Sequence, residues 1–185
     1  MKKIEEFLFK ISGFKPRLRE GQFIVNESIL QQANEAYDNN DYETCTRIWE
    51  KYANLNNGVS LLRLAECYWK GLGLDIDIKK SFDLLQKGTL LEGGTQNYFN
   101  LGIAYQIGDF IEQNYFRSYF FYLCAFHYSL GDEIDLSNKS KERMNEVYQM
   151  LDEEDSKKAD LLLIAIDKGY EPAGMSVAVE LLDTL

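Results

Sequence analysis

Residues 61–94 read LLRLAECYWKGLGLDIDIKKSFDLLQKGTLLEGG, and residues 98–131 repeat their pattern 37 positions later as YFNLGIAYQIGDFIEQNYFRSYFFYLCAFHYSLG. Five positions are identical at this offset: Leu64 and Leu101, Tyr68 and Tyr105, Gly71 and Gly108, Ser81 and Ser118, and Gly94 and Gly131. A fixed period of this length is the sequence signature of a protein built from stacked repeats. We therefore expect repeat units rather than one globule with an unbroken core.

Each of these stretches is predicted to form two helices joined by a loop. In the earlier stretch, apolar side chains recur at spacings of three and four over residues 59–70, which predicts a first helix there. Gly71 suits the left-handed residue that follows a helix, and Asp77 suits the N-cap of a second helix. The side chains expected to be buried are Leu61, Leu64, Ala65 and Tyr68 on the first helix and Ile78, Ser81, Phe82 and Leu85 on the second.

Further copies extend the repeat in both directions. An earlier copy fits 36 positions upstream, with Asp41 in place of Asp77 and a loop about five residues shorter at Asn39-Asn40. In the 98–131 copy, helices are expected over 95–107 and 115–130, and the second is aromatic on nearly all sides, as in an enclosed helix. A looser fourth copy predicts helices over 139–151 and 155–168. The apolar positions of its second helix are Ala159, Leu162, Leu163 and Ile166.

Helices at the two ends are expected to cap the repeats, because each repeat needs a neighbour to cover its apolar face. They are predicted over residues 2–12 and 173–183. The only prolines, Pro16 and Pro172, lie near the ends, so the middle of the chain permits helix throughout. The prediction is an all-α solenoid of about four helix pairs, with residues 1–26 as an N-terminal cap segment and 27–185 as the repeat domain.

Composition excludes several classes of function. The chain has 185 residues with 30 acidic and 20 basic side chains, a net charge of −10. This balance argues against nucleic acid and against an anionic membrane surface as partners. The longest apolar run, residues 119–126, is far shorter than the roughly 20 residues that span a bilayer. Three scattered cysteines and no recognisable signal peptide favour a cytoplasmic protein with reduced thiols.

The repeated residues resemble the Sel1-like repeat family, which is related to the tetratricopeptide repeats. The second copy carries the family pattern as Leu64-Ala65, Tyr68, Gly71-Leu72-Gly73-Leu74, Asp77 and Lys80-Ser81. The copies depart from the pattern at Ser81, Ser118 and Cys45, where alanine is usual. The resemblance implies a helix-pair array that binds other proteins, with the first helix of each pair lining a concave face.

The first helices leave one stripe of side chains that the predicted packing does not use. Amides, acids and aromatics lie side by side along it, which suits a protein partner, with Trp69 as an anchor. The predicted partner-binding residues are Gln31, Glu35, Asp38, Leu62, Glu66, Trp69, Lys70, Phe99 and Gln106. An ordinary solvated face, with Trp69 packed on a neighbour, is the alternative.

The predicted function is non-catalytic protein binding without cofactor or metal, and the acidic charge favours a basic protein partner. Small acidic members of the family resemble bacterial immunity proteins, which implies neutralisation of a cognate basic toxin. Two alternatives stay open. The resemblance also implies a hydrolase of cell-wall-type substrates, which would need a nucleophile near His127, the only histidine, or a carboxylate pair with shifted pKa values. The other alternative is a structural adaptor in a larger assembly. Asp75 and Asp77 favour a helix cap over a metal site, and the acidic run 152–155 favours a helix junction over a docking patch.

Overall fold

The computed structural model describes residues 26–129 and 134–167, and within them the chain forms eight α-helices and no β-strand. The helices are α1 (Glu27–Asp38), α2 (Tyr42–Ala53), α3 (Gly58–Lys70), α4 (Ile78–Glu92), α5 (Thr95–Ile107), α6 (Tyr115–Tyr128), α7 (Ile134–Tyr148) and α8 (Glu153–Asp167). Consecutive helices form four repeats, α1/α2, α3/α4, α5/α6 and α7/α8, and in the first three the two helices pack on each other. In the fourth, α8 packs on α6, and Tyr148 of α7 donates a hydrogen bond to Asp160 of α8. The predicted all-α helix-pair fold is confirmed. The predicted cap helices at 2–12 and 173–183 lie outside the described residues.

The described residues fall into two compact units. The N-terminal unit contains residues 26–93 with α1 to α4, and the C-terminal unit contains residues 94–167 with α5 to α8. No helix in the described part of the chain is long and apolar enough to cross a membrane.

The second helix of every repeat begins at an equivalent N-cap. A side-chain oxygen at this cap accepts a hydrogen bond from the backbone amide three residues later, which satisfies one of the unpaired amides of the first turn. The caps are Asp41 to Thr44 (3.2 Å), Asp77 to Lys80 (2.9 Å), Asn114 to Arg117 (2.8 Å) and Asp152 to Asp155 (2.8 Å). The predicted equivalence of the first three caps is confirmed, and Asp152 extends it to the fourth repeat.

The loop inside a repeat has two lengths. In the second and third repeats, Gly71 and Gly108 follow the first helix with φ of 71° and 73°, the left-handed region that favours glycine. In the first repeat the chain turns within Asn39 and Asn40, and Asn40 takes the positive φ of 62°. The shorter first loop predicted from the sequence is therefore confirmed.

The helix limits of the fourth repeat differ from the prediction. Helix α7 begins at Ile134 rather than 139, because the polar start of this helix supports itself: Lys139 binds Asp135 at 2.8 Å and Ser140 Oγ donates to the Leu136 carbonyl. It ends at Tyr148 rather than 151, and α8 begins directly after its cap. In the third repeat, α6 ends at Tyr128 rather than 130.

The N-terminal unit has its core between α1, α2 and α3. Trp49 is 1% exposed, and its ring lies 5.6 Å from that of Tyr37. The predicted buried face of α3 is confirmed at all four positions, whereas on α4 only Ser81 of the predicted stripe is buried, and Ile78, Phe82 and Leu85 are half-buried. Ser81 Oγ donates to the Ala65 carbonyl at 2.7 Å, so the serine that replaces the usual alanine links the two helices of its repeat.

The core of the C-terminal unit is built around α6, which contacts α5, α7 and α8. Nine of its side chains are buried, as predicted for an enclosed aromatic helix. Helix α5 approaches α6 closely at Gly102, where an added Cβ would lie 2.6 Å from the Tyr122 ring. Ser118 Oγ donates to the Gly102 carbonyl at 2.8 Å, the same link that Ser81 makes. On α8 the predicted Leu163 is exposed, and Ala165 is buried instead.

Candidate functional site

In the N-terminal unit, two of the predicted binding residues belong to a network that joins α1 to α3. Glu66 Oε1 accepts hydrogen bonds from Tyr37 Oη (3.0 Å) and Lys70 Nζ (2.6 Å), and its other oxygen lies 3.6 Å from Arg63. Burial alone would raise the pKa of Glu66, but the hydrogen bonds from Lys70 and Tyr37 outweigh it and lower that pKa. The structure thus brings Glu66 and Lys70 together, with their charges paired inside the unit.

The other predicted binding residues of this unit lie on α1 and α3. Gln31 Nε2 donates to Glu35 Oε1 at 3.1 Å on an exposed face of α1, and Asp38 is exposed at the end of that helix. Trp69 is 55% exposed. Leu62 is half-buried and lies against Gly88 of α4, inside its own repeat.

In the C-terminal unit, the two predicted binding residues, Phe99 and Gln106, both contact the buried Tyr122. The ring of Phe99 lies 5.4 Å from that of Tyr122, tilted by 54°, and Tyr122 Oη donates to Gln106 Oε1 at 2.7 Å. Tyr122 is 0% exposed, and burial raises its pKa to about 12. The phenol therefore stays a neutral hydrogen-bond donor that fixes Gln106, while its ring supports Phe99.

A cleft of 380 Å³ opens between α5 and α7, the first helices of the third and fourth repeats. It is lined by Phe99, Ile103, Lys139, Glu142, Arg143 and Glu146. The volume lies within the range of ordinary ligand pockets. Phe99 and Ile103 give the cleft an apolar side, and four charged residues of α7 form the opposite one.

The charges of the cleft are partly paired. Arg143 lies 3.0 Å from Glu146, and Lys139 lies 2.8 Å from Asp135. Glu142 has no ion pair within the described residues. Over residues 94–167 there are thirteen acidic and six basic side chains, so the surroundings of the cleft are negative.

Sequence reasoning found Phe99 but missed the rest of the cleft lining. A signal was present: Lys139, Glu142, Arg143 and Glu146 recur at helical spacing beside the face of α7 that buries Met144 and Val147. Such a charged stripe is typical of any solvated helix face. Only the position of α7 beside α5 turns it into one wall of a cleft.

The metal-site and hydrolase alternatives depend on Asp75, Asp77 and His127. Asp77 caps α4 and Asp75 is exposed, as the helix-cap interpretation predicted. The ring of His127 meets that of Tyr128 edge-on at 5.1 Å. No group of three potential metal ligands comes together in residues 26–129 and 134–167.

The acidic run 152–155 forms the junction of α7 and α8. Asp152 is the cap of α8, and the next two acids pair with lysines one turn on, Glu153 with Lys157 (2.6 Å) and Glu154 with Lys158 (3.0 Å). Because Asp152 caps α8 and two of the other acids pair with lysines of the same helix, the run fits the helix junction better than a docking patch.

The three cysteines should not react with Ellman's reagent in the native protein. Cys45, Cys67 and Cys124 are all 0% exposed, and burial raises the pKa of each thiol, that of Cys67 to about 12. Because the thiolate is the reactive form, both access and ionisation oppose the reaction. Three thiols should titrate after unfolding in guanidinium chloride, and rapid release in native buffer would contradict the burial described above.

Comparison with known proteins agrees with this architecture. The Sel1 repeat model matches residues 58–91 and 98–126, which cover α3/α4 and α5/α6. The solved structure of c5321, a protective antigen of uropathogenic Escherichia coli strains with an SLR fold, superposes with a TM-score of 0.59 at 17% identity. This match covers 84% of the present chain but 32% of the antigen, so the chain spans about a third of that protein, and the likeness concerns the fold alone.

A Sel1 repeat protein from Oxalobacter formigenes has a TM-score of 0.46 at 17% identity, covering 76% of this chain and 70% of its own. No curated protein sequence matches the chain significantly. The recurrent helix pairs, their equivalent caps and the two matched stretches lead to one conclusion: the chain contains Sel1 repeats and has their all-helical fold.

Proposed function

We propose that this chain is a non-catalytic protein-binding protein, and that its C-terminal unit holds a segment of a basic partner in the cleft between α5 and α7. Sel1 repeats point to protein–protein interaction, and this is the coarse basis of the proposal. The observation that carries it is the cleft, which combines an apolar side at Phe99 and Ile103 with a charged side on α7. Partly apolar grooves rimmed by charge are the kind of surface that protein segments occupy.

The preference for a basic partner follows from electrostatics. The whole chain carries −10, and the unit that contains the cleft carries more than twice as many acids as bases. Complementary charge speeds association and disfavours wrong partners, with a strong dependence on ionic strength. Glu142, which lines the cleft, has no ion pair within the described residues, so its carboxylate can pair with a basic residue of the partner.

A toxin-neutralising role is the narrower form of the same proposal. It is supported by the acidity of the chain, and it requires the basic partner to be a toxin. Adding the purified chain to the captured partner should then abolish the partner's toxic activity in a cell-free assay. An adaptor role predicts that the partner belongs to a resident assembly and keeps its activity.

The experiment compares two charge reversals in the same unit, Glu142→Lys in the cleft and Glu112→Lys in the α5–α6 loop. Both side chains are exposed, so neither change should disturb the fold. The tagged wild type and Glu112→Lys should capture one basic protein from the native host, identified by mass spectrometry. Isothermal titration with that purified protein should show about tenfold weaker binding for Glu142→Lys, equivalent to about 1.4 kcal/mol.

Binding should also weaken as salt is raised, because charge complementarity is screened. Recovery of chaperones alone would contradict the protein-binding proposal. Equal affinities of Glu142→Lys and Glu112→Lys for the partner would show that the cleft is not the binding site.

A further inference from the structure

The N-terminal unit contains an internal arrangement of an aromatic ring, a cation and a carboxylate between two first helices. The guanidinium of Arg63 on α3 lies 5.9 Å from the centre of the Tyr37 ring on α1. Glu66, also on α3, contacts both, at 3.6 Å from Arg63 and 3.0 Å from Tyr37 Oη. In this unit the space between consecutive first helices is thus bridged by the chain's own residues.

The cleft of the C-terminal unit is lined by the same three kinds of group, an aromatic ring, carboxylates and cations. Helix α5 supplies the ring of Phe99, and α7 supplies the carboxylate of Glu142. Within the described residues no cation lies over the Phe99 ring. None forms an ion pair with Glu142 either, because Arg143 pairs with Glu146 and Lys139 pairs with Asp135.

We infer that the cleft takes an arginine side chain of the partner, with its methylene stem along Phe99 and Ile103 and its guanidinium on Glu142; this rests on the protein-binding function proposed above. A guanidinium is planar, stacks on an aromatic face and matches a carboxylate with two parallel hydrogen bonds. A lysine ammonium is more strongly hydrated and offers no planar face, so arginine is the better occupant. The cleft, at 380 Å³, also leaves room for residues beside the arginine.

The test uses the full chain, labelled with ¹⁵N, and three small probes: N-acetyl-arginine methylamide and its lysine and norleucine counterparts. Arginine should give saturable amide shifts at Phe99, Ile103 and Glu142, lysine weaker ones, and norleucine the weakest. Glu142→Gln should weaken the arginine probe about two- to fivefold, the range of exposed ion pairs. Phe99→Leu keeps an apolar side chain but removes the ring, so it should reduce the difference in affinity between the arginine and lysine probes. Glu112→Gln should change neither the affinity for arginine nor this difference.

Equal binding of norleucine and arginine, or shifts that do not saturate or lie outside the cleft, would overturn the inference. Its failure is distinguishable from failure of the proposed function. If the arginine probe does not bind but Glu142→Lys still weakens binding of the captured partner, the cleft binds protein through another group. If neither effect is seen, the cleft is not the binding site.

Discussion

Replacing Tyr122 with alanine should lower the free energy of unfolding by about 3–5 kcal/mol, the usual cost of deleting a large buried aromatic side chain. Tyr122 is fully buried in α6, packs against Phe99, and lies so close to Gly102 that no side chain could stand between them. Its hydroxyl also holds Gln106. The alanine variant would leave a cavity in the middle of the unit and an amide oxygen without its donor.

The matched control is Tyr122→Phe, which keeps the ring and removes only the hydroxyl. Losing the bond to Gln106 should cost about 0.5–1.5 kcal/mol. Both variants can be compared by urea denaturation followed by far-UV circular dichroism, with equal slopes as the check that the transition is unchanged. Similar losses for the two variants would mean that ring packing contributes little, contrary to the structure.

The Tyr122 pair also tests the cleft. Because the ring of Tyr122 supports Phe99 from behind, its loss should weaken the arginine probe even where Tyr122→Ala remains folded. Tyr122→Phe should bind the probe as the wild type does, since the ring remains.

The parts of the fold that could be predicted are those determined by local interactions. Asp77 and Asn114 cap helices through a bond to an amide three residues away, and Gly71 and Gly108 take a conformation that few other residues tolerate. Such requirements leave a mark at a fixed position in each repeat. The aromatic sequence of α6 likewise predicted its enclosure, because a helix that is apolar on all sides has no face for water.

The candidate site was less predictable because it depends on contacts between distant helices. Glu66 was expected to face a partner, yet Tyr37, 29 residues earlier in the chain, binds it. Phe99 was identified, whereas Glu142 lies in the fourth repeat, where the limits of α7 were misplaced. The sequence pattern of a single helix shows which side chains are polar, but the position of α5 beside α7 decides which of them line a cleft.

Replacing Trp49 with alanine should cost about 3–5 kcal/mol in the N-terminal unit, again the cost of emptying a large buried site. Trp49 is 1% exposed and contacts the ring of Tyr37, whose hydroxyl donates a hydrogen bond to Glu66. The loss should therefore loosen the contact between α1 and α3 as well as the core. Retention of full stability would mean that this indole does not pack as described.

The chain offers a control of the same chemistry in Trp69→Ala, because its two tryptophans both lie in the N-terminal unit. Trp69 is 55% exposed, and exposed substitutions usually change stability by less than about 0.5 kcal/mol. Each variant keeps one tryptophan, so fluorescence follows the N-terminal unit in both, and acrylamide should quench Trp69 in Trp49→Ala far more than Trp49 in Trp69→Ala. Equal losses of stability would show that Trp69 is packed on a neighbour, and the predicted anchor of the N-terminal unit would then belong to its core.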